Sequence, residues 1–140
     1  MAHTIAINLF IIFFIVFVAK PTFSCHWTKG YTISIFDSIL ANQDKVRFHC
    51  ASKNDDLGNH TFYRGFSYDW SFCDSILKNT LFFCHFWWGS KQKAFVVLDY
   101  KLGKIQCKTG TCRWFVADNG FYLSDGIYGT NTPVKKYDWQ

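Results

Sequence analysis

The residues of this chain best equipped for chemistry are six cysteines and the four of its five histidines that follow His3. Three of the histidines abut a cysteine, in Cys25-His26, His49-Cys50 and Cys84-His85; the fourth is His60. Imidazole and thiolate are the ligands of zinc. Neighbouring residues of a strand point to opposite faces, however, so His49 and Cys50 make a poor chelating pair. Neither Cys-x-x-Cys nor His-x-x-x-His spacing occurs. No metal and no cofactor is expected.

Catalysis by a hydrolase needs a poised acid and base, or a nucleophile beside a base. No histidine sits in the His-Gly-Leu-Trp-Pro segment that carries the catalytic histidine of secreted plant ribonucleases. Asp55-Asp56 offers paired carboxylates. The residues after it, Leu57-Gly58-Asn59, lack the regular oxygen ligands of a calcium loop. The simpler reading is a turn in which Asp side chains accept backbone amides. Gly58, Gly65, Gly89, Gly103 and Gly110 occur singly between apolar segments and cradle no phosphate. No catalytic residue is assigned, and the chain is not expected to be an enzyme.

The cysteines make more sense as disulfides. Ile5 to Val18 is an apolar run broken only by Asn8. It falls short of the roughly 20 residues that cross a bilayer. It suits the core of a secretory signal, with Thr22 and Ser24 at the small-residue cleavage positions. Residues 1–24 are therefore expected to be a cleaved signal peptide, and 25–140 a single extracellular domain. All six cysteines, Cys25, Cys50, Cys73, Cys84, Cys107 and Cys112, follow that cut. An even count in a secreted chain reads as a disulfide framework, although six cysteines allow 15 pairings. Cys107-Lys-Thr-Gly-Thr-Cys112 suggests a tight hairpin closed by its own bridge.

After the cut remain 14 of the 15 Lys and Arg residues and all 10 acids, every one an Asp, for a charge of +4. Asp is a poor helix-interior residue. The charge favours acidic surfaces in general, and no basic run is dense enough to suggest nucleic acid.

The elements that hold these residues read as short strands. Tyr31–Phe36 and Lys45–Ala51 alternate, with Val46, Phe48 and Cys50 on one face and Arg47 and His49 on the other. Ser52–Gly58 is a polar loop. His60–Tyr63 and Phe66–Phe72 follow, the latter with Phe66, Tyr68, Trp70 and Phe72 on one face. Thr80–Trp88 is nearly all apolar and is expected to be buried on both faces or central. Lys93–Asp99, Ile105–Lys108, Thr111–Ala117 and Phe121–Ser124 complete the set, with Asp118-Asn119-Gly120 as a hairpin turn. The expected fold is all-β: a small disulfide-stapled antiparallel β-sandwich of about eight strands. Of the 29 Phe, Trp and Tyr residues, 24 lie after Ser24 and are expected to fill its core. Trp87-Trp88 is the candidate aromatic ligand platform. Thr130 to Gln140 is expected to lie loosely on the surface. Asn59-His60-Thr61 is a glycosylation sequon placed after a turn, so Asn59 is expected to carry a glycan.

Several blocks in order then resemble one family. They are Val46-Arg-Phe-His-Cys50, Ser52-Lys-Asn-Asp-Asp-Leu-Gly58, Gly65-Phe-Ser-Tyr-Asp-Trp-Ser-Phe72, Thr80-Leu-Phe-Phe-Cys-His-Phe-Trp-Trp-Gly89, Cys112-Arg-Trp114 and Asp118-Asn-Gly-Phe-Tyr122. The chain resembles the plant self-incompatibility S-protein homologues. The resemblance implies a β-sandwich and a secreted signalling ligand, whose founding members reject self pollen through a pollen membrane receptor. The family's usual four cysteines match Cys50, Cys84, Cys107 and Cys112. Cys25 and Cys73 depart from that pattern; as the two extras they are expected to pair, leaving Cys50 with Cys84.

The leading expectation is thus a monomeric, non-enzymatic ligand for a membrane receptor on a neighbouring cell, with no nucleic acid and no stable membrane insertion. Loops on a rigid scaffold are where recognition usually resides. The candidates are Asp55 and Asp56 in Ser52–Gly58, Lys91 and Lys93 in Ser90–Lys93, and Lys101 and Lys104 in Asp99–Lys104. The alternatives are a secreted defence protein, favoured by positive charge and exposed tryptophans, and an unrecognised hydrolase.

Overall fold

A period of two in the apolar residues dictates which side of each strand is buried, and the register of the sheets follows from it. The computed structural model describes residues 1–18, 23–41, 44–126 and 132–140. The cleavage residue Thr22 and the first two residues of the tail, Thr130 and Asn131, lie outside these. Among the described residues are two helices and nine strands: α1 (Ala2–Val18), β1 (Gly30–Asp37), β2 (Arg47–Ala51), β3 (Asp56–Thr61), β4 (Ser67–Cys73), β5 (Phe82–Trp88), β6 (Lys91–Leu98), α2 (Tyr100–Gln106), β7 (Thr111–Ala117), β8 (Gly120–Asp125) and β9 (Val134–Tyr137). No helix among them is long and apolar enough to cross a membrane.

The strands form a five-stranded sheet ordered β4-β1-β7-β8-β9 and a four-stranded sheet ordered β3-β2-β5-β6. The inward residues of the two meet in one core. Ile33, Ile35, Trp114, Val116 and Phe121 come from the first sheet, and Phe48, Phe82, Phe86 and Val97 from the second. Large rings fill it, as expected: Phe95 lies 4.9 Å from Trp114 and Phe86 lies 5.1 Å from Phe121, centroid to centroid. The chain is an all-β, sandwich-like fold.

It is not wholly antiparallel. β1 and β7 run parallel, pairing Ile33 with Cys112 and Ile35 with Trp114. Parallel neighbours need a long crossover, and here β2 to β6 and α2 supply it.

Three local expectations need correction. The segments read as a loop (Asp99–Lys104) and a strand (Ile105–Lys108) contain α2 instead. Asp99 caps that helix, its carboxylate accepting the Leu102 amide at 2.7 Å. Phe66 does not join the inner face of β4: it closes a turn, its amide bonded to the Tyr63 carbonyl at 2.9 Å, and it is 63% exposed. β5 is central in its sheet, as expected, and buried on one face, with Phe83 exposed on the other. The tail does not lie loosely. Val134–Tyr137 pairs with β8, and Gln140 exchanges two backbone hydrogen bonds with Gln92 at 2.8 and 3.0 Å. The tail thereby ties the edge of one sheet to the edge of the other.

The structure pairs Cys25 with Cys73, Cys50 with Cys84 and Cys107 with Cys112. Cys50 and Cys84 are register partners on β2 and β5, inside the core. Cys107 and Cys112 span the turn from the end of α2 to β7 rather than the two arms of a hairpin.

Candidate recognition surface

The residues that alternate with the core on β2, β3, β5 and β6 line up on the outside of the four-stranded sheet. One row runs Asn59, His49, His85, Ala94; the next runs Thr61, Arg47, Trp87, Gln92. This arrangement explains the His-Cys neighbours in the sequence: Cys50 and Cys84 point inward to their shared disulfide, and His49 and His85 point outward. His49 Nε2 lies 2.7 Å from Asp56 Oδ1, and His85 Nε2 lies 2.9 Å from Gln92 Oε1. The His85 and Trp87 rings stack at 3.9 Å, and the Arg47 guanidinium stands 5.9 Å from the Trp87 ring.

The Gly58 amide donates to Asp56 at 2.8 Å, and His49 adds a second hydrogen bond. In that order of importance the two hold the Asp56 carboxyl below its ordinary value. An Asp-His pair orients a base, but a nucleophile must stand beside it. The adjacent sulfurs are locked in the core disulfide. Among the described residues no group of three His, Cys, Asp or Glu side chains could hold a metal. What the face presents is a rigid set of polar and aromatic groups suited to recognition.

The other sequence candidates distribute around it. Asp55 stands in the β2–β3 turn, where the Ser52 hydroxyl accepts the Asn54 and Asp55 amides at 3.3 and 3.1 Å, whereas Asp56 opens β3 opposite Ala51, so the loop expected over Ser52–Gly58 ends at Asp55. Lys91 and Lys93 belong to strand β6, not to a loop; the turn before it is Gly89-Ser90, with Gly89 at a φ of +56°. Lys91 lies over the Trp88 ring at 4.8 Å and Lys93 over Tyr137 at 5.8 Å. Lys101 and Lys104 are exposed on α2. Ala51 pairs with Phe83, and Phe82 with Leu98. The Asp55 turn and α2 therefore share one end of the sandwich, and Lys91 lies at the other. The aromatic pair is also divided. Trp87 faces outward, whereas Trp88 is anchored by its indole N–H to the Asp44 carbonyl at 3.0 Å and packs on Trp139. Asn59 is exposed on edge strand β3, opposite His49, one residue beyond Gly58. Sequence reasoning did not single out Arg47, His85 and Gln92 as a group; their outward alternation was the available signal.

The described residues thus form a disulfide-stapled two-sheet fold whose outer face carries polar and aromatic side chains. The profile of the family described as plant self-incompatibility protein S1 matches residues 32–139, and the chain belongs to that family. It is 37% identical to S-protein homolog 2 of Arabidopsis thaliana over 96 residues, which are 66% of this chain and 59% of the relative. It is 32% identical to S-protein homolog 8 of the same plant over 116 residues, covering 81% and 84%. With S-protein homolog 9 the identity is 31% over 116 residues, covering 81% and 83%. No solved structure matches.

Proposed function

We propose that the protein is a secreted, non-enzymatic signalling ligand of the S-protein type, released by cleavage after Ser24 and read by a membrane receptor on a neighbouring cell. Rejection of self pollen, the role of the family's founding members, is one setting for such a ligand. The observation that carries the reading is the two adjacent outward pairs, His49 with His85 and Arg47 with Trp87, on a sheet whose neighbouring cysteines are committed to the core. A buried aromatic or Arg anchor with a polar rim is a common interface composition. Trp87 with Arg47 supplies the anchor, and Asp56, Gln92 and Asn59 supply the rim.

The test is binding of fluorescently labelled secreted protein to pollen tubes and to leaf protoplasts. Arg47→Ala with Trp87→Ala should weaken binding at least tenfold while the β-type circular dichroism spectrum is kept. Equal binding by wild type and this double variant on every cell type tested would overturn the reading.

A further inference from the structure

One end of the sandwich carries exposed apolar side chains and lysines that the recognition face does not use. Three segments meet there. Cys25–Cys73 staples the segment before β1 to the end of β4, and the Asp74 amide donates to the Lys29 carbonyl at 2.9 Å. Lys29 Nζ in turn donates to the Lys108 carbonyl at 2.8 Å, joining this segment to the turn after α2. The three segments line a shallow hollow of about 500 Å³.

The β4–β5 loop projects its apolar tip. The Ser75 amide donates to Asp74 Oδ1 and to Thr80 Oγ1, both at 2.9 Å. The Asn79 amide donates to Ser75 Oγ at 3.0 Å, and the Lys78 amide to the Ser75 carbonyl at 2.9 Å. These bonds fix the loop with Ile76 and Leu77 each 81% exposed. Trp27 on the stapled segment is 88% exposed, and Tyr100 on α2 borders the same hollow. Consecutive aliphatic residues held in water at a loop tip do nothing for the fold and serve no polar partner.

Positive charge prevails in the hollow, with Asp55 on the far side of the loop and Asp125 beside the Lys108 amide. Lys29, Lys78, Lys104 and Lys108 line the hollow against a single carboxylate, Asp74, which is occupied by the Ser75 amide. Lys78 and Lys104 sit 5.3 and 5.9 Å from the Tyr100 ring centre. Aliphatic tip, amphipathic Trp and Tyr beside it, and lysines behind match the layers of an anionic bilayer surface: acyl boundary, interface, phosphate. An acidic polysaccharide would use the lysines and rings but has no use for Ile76 and Leu77.

We propose that this end docks peripherally on anionic phospholipid membranes, with Ile76 and Leu77 entering the interface and the four lysines facing lipid phosphates. The docking is separate from the receptor reading, because protein-free vesicles suffice to test it.

Secreted protein, with its N-terminus sequenced, is co-sedimented with phosphatidylcholine vesicles containing 30% phosphatidylserine and with pure phosphatidylcholine. Binding is expected to the first only, and to fall in 0.5 M salt. Lys78→Gln with Lys104→Gln should weaken it about 25-fold, at about fivefold per lysine. Ile76→Ser with Leu77→Ser should weaken it at least tenfold without changing the charge. Lys45→Gln with Lys91→Gln, at the other end of the sandwich, should leave it within about twofold. No sedimentation of wild type, or equal losses from both lysine pairs, would overturn the proposal. So would binding indifferent to the Ile76 and Leu77 change. Binding to polygalacturonate that is lost in the Lys78 and Lys104 variant, with none to vesicles, would reassign this end to an acidic polysaccharide.

Discussion

Trp139 donates its indole N–H to the Ala117 carbonyl at 2.9 Å and lays its ring 4.5 Å from that of Phe121. One half-buried residue near the C-terminus thus closes the core over β7 and β8. Trp139→Ala should cost about 2–3 kcal/mol, below the ~3–5 of a fully buried tryptophan. Trp139→Phe keeps the ring, loses the hydrogen bond, and should cost about 1 kcal/mol. Urea midpoints followed by far-ultraviolet circular dichroism measure both. Equal stability of wild type and Trp139→Ala would mean that the tail adds nothing to the fold.

Gly103 is the point where α2 meets the five-stranded sheet. A Cβ there would stand 2.8 Å from the Tyr31 hydroxyl oxygen and 2.9 Å from its nearest ring carbon. Tyr31 is 5% exposed and its ring stacks with Phe72, so it has little room to yield. Gly103→Ala should therefore destabilise by about 1–3 kcal/mol despite the better helix propensity of alanine. Tyr31→Phe in the Gly103→Ala background should recover part of the loss by removing the closest atom. A stabilised Gly103→Ala variant would show that α2 rides freely on the sheet.

How much of this was legible depends on how local each signal is. β1 and β7 were readable because Ile33 and Ile35, and Trp114 and Val116, alternate with less buried neighbours over whole strands. The pairing of β1 with β7 was not, because register between strands far apart in sequence leaves no local mark. α2 has seven residues, too few to display a helical period, and its one signal was Asp99 three residues before Leu102. β9 reads Val-Lys-Lys-Tyr, a polar segment that becomes a strand because Trp139 and Gln140 fasten the chain beyond it. Lys91 and Lys93 read as loop by charge, whereas they lie on edge strand β6, where lysine is a common guard against pairing with other chains. The candidate site suffered most. Asp56, His49, His85 and Gln92 come together only through the pairing of β3, β2, β5 and β6.

Cys50 and Cys84 bridge the two middle strands of the four-stranded sheet, with both side chains fully buried. Replacing both with alanine removes a loop closure spanning 34 residues and should cost about 2–5 kcal/mol. That is a large part of the stability of a domain this size, so secretion of the double variant should fall several-fold. Cys50→Ser alone should do worse, leaving an unpaired thiol and a buried hydroxyl. Quantitative blots of medium against cell lysate measure it, and wild-type secretion of the double variant would show that the bridge is dispensable.

Asn59 is exposed on edge strand β3, so an attached glycan can leave the sheet without disturbing a core residue. Glycosidase treatment of the secreted protein should increase its gel mobility. Asn59→Gln should abolish the shift, and so should Thr61→Ala, which leaves Asn59 in place but breaks the sequon. A wild-type protein that shows no shift would count against the modification. A glycan here would project beside His49, and Asn59→Gln would then also reveal whether it shields the recognition face.

Two carboxylates should give the protein opposite responses to acid. Asp56 is held below its ordinary value by the Gly58 amide and by His49. A depressed native value means that its stabilisation is complete above the unfolded value, about 3.9, and is lost as the pH falls through the lower native value. Asp37 is the reverse case. Its side chain is almost buried, and burial pushes its carboxyl up, only partly opposed by the Ile39 amide that it accepts at 3.0 Å. The native state therefore holds this proton at a pH where the unfolded chain has released it. The ionised form costs stability at neutral pH, and the cost disappears as the pH falls through the raised native value towards the unfolded one. Asp56→Asn should accordingly be less stable than wild type at pH 7, with the deficit shrinking once acid protonates Asp56 itself. Asp37→Asn keeps an oxygen for the Ile39 amide and loses the buried charge. It should be more stable than wild type at pH 7, with the gain fading below about pH 4. Urea midpoints at pH 3, 5 and 7 decide both, and an Asp37→Asn variant that is weaker by the same margin at all three would show that its carboxylate is needed rather than merely tolerated.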